Sequence, residues 1–97
     1  MTYLTSVSEL TGKQVITTNA FNLGEVEGAE FDPTTWQITA LHVKLTSEAA
    51  EELKLKKPML SHVVILVPVS VVKAVLHVVT LSKSCEELKD VVKTKKD

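Results

Sequence analysis

The chain has 97 residues, a net charge of −1 and 44% apolar residues; valine dominates that apolar set, and aromatics make up only 4% of the chain. This length fits one domain, and such a chain buries roughly 60–70% of its unfolded surface, enough for one core. The charge balance gives no electrostatic case for nucleic acid, and the single cysteine, Cys85, excludes an internal disulfide and a cysteine-pair metal site.

A β-branched, aromatic-poor composition favours a compact sheet core. The opening stretch MTYLTSVSEL lacks a basic n-region and a long apolar run, so no signal peptide is expected. Absence of bridges is compatible with a reducing compartment, and the expected location is cytoplasmic.

In chain order, Ser8 is placed to cap one short helical turn before Leu10-Thr11-Gly12. A first strand is predicted over residues 13–18, with Val15 and Ile16 on opposite faces. Residues 19–22 read as a hairpin turn, because Asn tolerates left-handed backbone angles. The second strand covers residues 23–31, where Leu23, Val26, Ala29 and Phe31 break strict alternation. Gly24 and Gly28 mark the phase slip, which predicts a bulge or a sharp bend. Small barrels use such bends to close.

Asp32-Pro33-Thr34-Thr35 is the second turn, with proline presetting its backbone. The third strand is predicted over residues 36–45, with Leu41, Val43 and Leu45 on one face and Ala40, His42 and Lys44 on the other. Thr46-Ser47 then offers an N-cap to a short helix carrying Ala49, Ala50 and Leu53, ended by Lys56-Lys57-Pro58. Residues 63–67 are continuously apolar and read as a strand buried on both faces, ended by Pro68. Residues 69–74 read as a turn or helical corner carrying Lys73 outward, and residues 75–81 as another strand. Ser84-Cys85-Glu86-Glu87 is a capping box opening a last helix with Cys85, Leu88, Val91 and Val92 on its stripe. The charged residues after it are expected to fray.

Residues 62–81 approach the length of a membrane-spanning helix. Lys73 in its middle carries an insertion penalty of roughly 2.5–3.5 kcal/mol, and Pro68, Ser70, His62 and His77 also argue against spanning. The expected architecture is mainly β: a small, partly open antiparallel barrel over about residues 8–82, with a short inserted helix and a C-terminal helix over about residues 84–93. Crossover helices are absent, so parallel pairing is not expected.

Candidate chemistry is sparse. His42, His62 and His77 lack the spacing of a ligand pair, so they read as unrelated strand histidines and no metal or cofactor is expected. Glu25, Glu27, Glu30 and Asp32 read as the solvated face of a hairpin, able to offer a negative patch to a basic partner. Cys85 falls on an apolar stripe, where free cysteine is a small buried hydrophobe. Trp36, beside a turn, either anchors an interface or covers one end of the barrel.

Residues 9–43 resemble the PRC-barrel family, and are similar to its small archaeal single-domain members. The resemblance rests on Leu10-Thr11-Gly12-Lys13-Gln14-Val15, Leu23-Gly24-Glu25-Val26, Phe31-Asp32-Pro33-Thr34-Thr35-Trp36-Gln37-Ile38 and Leu41-His42-Val43. A later stretch, Val67-Pro68-Val69-Ser70-Val71-Val72-Lys73-Ala74-Val75, resembles the family's late strand and corner. An Asp-Gly turn common in the family is replaced here by residues 19–22. The resemblance implies one PRC-barrel-like domain over residues 1–97. It also implies an adaptor without catalytic residues, settings tied to RNA metabolism, ribosome maturation or cell division, and no functional residue to carry over.

The expected function is therefore a non-enzymatic protein-interaction module, one that also forms a homodimer. Its candidate partner surface comprises Glu25, Glu27, Glu30, Trp36, Leu88, Val91 and Val92. The alternative is an accessory RNA-processing or ribosome-assembly factor contacting RNA through Lys54, Lys56, Lys57 and the terminal lysines. An enzyme or metal protein using the histidines comes third.

Overall fold

The computed structural model describes residues 5–55 and 63–94. After a helical turn, α1 (Val7–Leu10), come β1 (Gln14–Ile16), β2 (Asn22–Asp32), β3 (Gln37–Leu45) and α2 (Ser47–Glu52). Then follow β4 (Val64–Pro68), a 3-10 turn (Val69–Val71), β5 (Val72–Val75), β6 (Val79–Leu81), α3 (Cys85–Leu88) and β7 (Lys93–Thr94). The strands form one 7-stranded sheet, ordered β5-β6-β1-β2-β3-β4-β7, curled into a half-barrel. The protein is thus mainly β and partly open, as its sequence predicts.

Local chemistry accounts for most boundaries. Ser6, not Ser8, caps α1, its side chain accepting from the Glu9 N–H. Thr46 caps α2 by accepting from Ala49 N–H, and the expected Ser84–Glu87 capping box is fully formed. In the first hairpin turn Ala20, not an asparagine, takes the left-handed angle at φ 64°. Buried Thr17 holds that turn: its hydroxyl donates to the Asn19 carboxamide and accepts from Phe21 N–H at 3.1 Å.

The bend in β2 depends on Gly24. Its φ is +152°, and a Cβ there would run into the Lys44 carbonyl oxygen of β3. Only glycine combines that angle with so close an approach. Gly28 needs no left-handed backbone, and a Cβ there would meet only His42 Nδ1 at 3.7 Å. The phase slip itself is a register shift between Val26 and Gly28, where Glu27 bulges out of the ladder.

Three expectations are corrected. First, β1 and β6 pair in parallel, Val15 opposite Val79 and Ile16 opposite Thr80. A parallel neighbour needs a long crossover. Here β2 through β5 supply it by travelling round the half-barrel, with no single crossover helix.

Second, the strand predicted over 75–81 is two strands. Leu76 N–H donates to the Val78 carbonyl at 3.0 Å, closing a tight turn between β5 and β6. The corner predicted over 69–74 shrinks to the 3-10 turn, though Lys73 is exposed as expected.

Third, the last helix stops at Leu88, well short of residue 93. The Val91 and Val92 N–H groups both turn back to the Leu88 carbonyl, at 3.0 and 3.1 Å. Lys93–Thr94 then pair with the exposed edge of β4.

Alternation along the strands builds the core. Val15, Leu23, Val26, Val43, Ile65, Val67, Val79 and Leu81 point inward and are buried. Each such side chain contributes roughly 1.5–3 kcal/mol. β4 departs from the prediction of burial on both faces: Val63, Ile65 and Val67 are buried, while Val64, Leu66 and Pro68 on the other face are half-buried. Beside Leu23 and Leu45, Ala49, Ala50 and Leu53 of α2 and Cys85 and Leu88 of α3 complete the core.

Among the described residues no helix is long and apolar enough to cross a membrane. From Val63 onward, the stretch tested for spanning is strands and turns.

Candidate interaction surface

The acidic residues lie on β2, turned to solvent. Glu25 faces its cross-strand partner Lys44 at 3.3 Å. Glu30 Oε2 lies 3.4 Å from His42 Nε2, a distance that suits an ion pair when the ring is protonated but without hydrogen-bond alignment. Glu27 stands exposed at the bulge. Exposed pairs of this kind contribute about 0–1 kcal/mol. Of the three glutamates, Glu25 is thus already answered by a cation within the chain, and Glu30 lies beside the His42 ring.

Leu88 is not a surface residue: it is 0% exposed and part of the core. Val92 is half-buried against that core, and Val91 is exposed in the turn after α3. Of that apolar stripe, Leu88 and Val92 have docked on the chain's own barrel, while Val91 is left exposed.

Trp36 is the expected residue that stands out. It was predicted to open β3 but is the last residue of the turn over 33–36, at φ 64°. Positive φ in a bulky residue is uncommon and strained. The turn is held from below: Asp32 Oδ1 accepts from Thr34 N–H at 2.8 Å and the Asp32 carbonyl from Trp36 N–H at 2.6 Å. The indole is 75% exposed and stacks on Phe31, with centroids 5.3 Å apart and planes 13° from parallel. Such a pair fixes the ring with few rotatable bonds.

The patch extends beyond what the residue-by-residue reading identified. Phe31, read as part of the apolar set of β2, is 51% exposed. It pairs directly with Ile38 across the hairpin. Ile38 then lines a shallow groove of about 300 Å³ together with Leu10, Leu41, Val69, Val72 and Val75, a nearly all-apolar wall. A signal for this existed: two of the few aromatics flank one turn, at positions 31 and 36. A separate polar concavity of about 470 Å³ runs past Gln14, Asn22, Glu25 and Lys44, where the charges offset one another.

No reactive constellation accompanies these surfaces. Among the described residues no three His, Cys, Asp or Glu side chains group as a metal site would need. His42 is on β3, His77 is exposed in the β5–β6 turn, and His62 lies outside the described residues. Burial pushes the Cys85 thiol up, and the Glu52 carboxylate adds to the effect. A protonated, buried thiol is a poor nucleophile. Of the lysines expected at an RNA contact, Lys54 and Lys93 are exposed, while Lys56, Lys57, Lys95 and Lys96 lie outside the described residues.

No protein-family model matches the chain, and no curated protein is significantly similar to it.

Proposed function

We propose that the chain is a non-catalytic adaptor of the PRC-barrel type, a cytoplasmic protein-interaction module that also self-associates. One observation carries the reading: a strained, 75% exposed Trp36, stacked on Phe31 at a hairpin tip that runs into an apolar groove. Rigid exposed aromatics beside a pocket are the usual anchors of protein interfaces. A protein without partners has no use for that arrangement, which exposes apolar surface and strains the backbone together. The motifs behind the family resemblance coincide with the close approach at Gly24 and the turn that ends at Trp36, which also supports the reading.

The test compares the native chain with Trp36→Asn as baits in native extract. A partner recovered by the first and lost by the second, then rebound as purified protein at fixed stoichiometry, is the expected result. Equal recovery by both baits argues that the hairpin tip is not the working surface.

Exposed Lys54, following α2, is what favours the RNA-accessory alternative. That reading requires a salt-dependent RNA mobility shift that is lost when Lys54, Lys56 and Lys57 become glutamine. No shift at low salt removes it.

A further inference from the structure

The described edges of the half-barrel are poor places for another chain to pair. β5 is four residues long, carries exposed Lys73, and shifts register between Val72 and Ala74 so that Lys73 bulges. β7 is two residues long and begins with a lysine. Short strands, lysines and bulges are how sheets discourage edge-to-edge association. Association has to use a face instead.

One face offers both halves of a fit. Trp36 on Phe31 is a protruding apolar knob. Next to it, through Ile38, opens the groove of about 300 Å³. An enclosed apolar cavity of about 150 Å³ already holds a benzene ring, so the groove has room for an indole. Among the described residues it is walled by aliphatic side chains and Thr5, with no charged side chain.

Knob and hole adjoin on one surface, which is the requirement of a two-fold interface where residue i of one copy meets residue j of the other and the reverse. At their exposures Trp36, Phe31, Ile38 and Val69 present on the order of 400 Å² of surface. That is the apolar centre, about half of the roughly 800 Å² per partner of a stable interface, and a surrounding polar rim has to supply the other half.

We propose that this surface pairs with a second copy of the chain, each copy inserting Trp36 into the groove bounded by Ile38, Val69 and Val72 of the other. The proposal rests on the interaction-module reading and names its self-association surface.

Trp36 is the sole tryptophan, so intrinsic fluorescence reports the site directly. Light scattering and emission are followed together from low to high micromolar concentration. A dimer is expected to form as the emission shifts to the blue and acrylamide quenching falls, all three tracking one dissociation constant. Trp36→Asn and Val69→Lys should each weaken dimerisation at least about 30-fold, the size of an interface hot spot. Circular dichroism should confirm that each variant keeps its fold. Val69→Lys retains the indole, and its emission should stay red at every concentration.

A dimer that persists in Trp36→Asn overturns the assigned surface while leaving self-association intact. A wild-type monomer with an exposed indole throughout overturns both, leaving the adaptor reading to the extract experiment. A monomer whose indole is shielded at every dilution assigns the groove to the chain's own residues. Shielding that appears only on adding a different protein assigns it to that protein. Concentration-dependent growth past the dimer overturns two-fold closure.

Discussion

The two ends of the β2–β3 hairpin are both apolar, on either side of two register shifts, and meet opposite fates. At the base, Leu23, Val26, Val43 and Leu45 are buried beneath α2 and the neighbouring strands. At the tip, Phe31, Trp36 and Ile38 are as apolar but stand 51%, 75% and 36% exposed. Hydrophobicity does not distinguish them; cover does. Among the described residues α2 packs against the base and β1 and β4 pair with it, whereas β4 pairs with β3 no nearer the tip than Ala40. A base that packs and a tip that waits imply different consequences for substitution.

The largest effect should come from the base. Gly24→Ala forces a Cβ against the Lys44 carbonyl at a disfavoured angle. It should destabilise by about 4 kcal/mol in urea unfolding, combining backbone strain with overpacking. Leu88→Ala removes a fully buried side chain and should cost about 3 kcal/mol. If that loss were below about 1 kcal/mol, α3 would be a bystander and the stripe would again be a candidate surface.

Ser84→Ala removes the N-cap of α3 and should cost about 1 kcal/mol, visible as a lower midpoint. At the tip, Trp36→Asn should change stability by less than about 1 kcal/mol, because relief at φ 64° offsets the lost stacking on Phe31. A larger loss would mean that the tip is structural after all, and the contrast between the ends would collapse.

The smallest effect concerns pH. Hydrogen bonds from Ser84 hold the Glu87 carboxyl below its ordinary value near 4.5. The folded state therefore favours the carboxylate, so its contribution is present above that value and fades as pH falls through the lowered one. Thermal midpoints followed from about pH 6 to pH 3 should decline slightly less in Glu87→Gln than in the parent chain.

Much of the base was legible in sequence, because its signals are local. The Leu41, Val43, Leu45 alternation, the Ser84–Glu87 box and the bend at Gly24 each sit within a few residues. The parallel β1–β6 pair was not legible, since nothing near Val15 points to Val79. The β5–β6 turn was hidden because Leu76-His77-Val78 carries no glycine or proline and continues the apolar run. α3 was read too long because Val91 and Val92 keep helical spacing, while β4 offered their successors a free edge. At the candidate surface, Trp36 was legible as an aromatic beside a turn. The exposure of Phe31 and Ile38 was not, because alternation says which face a residue takes and not whether anything covers that face.

The parallel pairing of β1 with β6 has a consequence for how the chain comes into being. The first of the described strands is also among the last to be completed, since the neighbour on its far side comes only with Val79 and Thr80. Until those residues are in place, β1 can pair only with β2 and leaves the N–H and C=O groups of its other edge unpaired. Contacts between distant parts of a chain form slowly, and the intermediates that precede them aggregate readily. Closing this side of the sheet therefore depends on a contact between residues more than sixty positions apart.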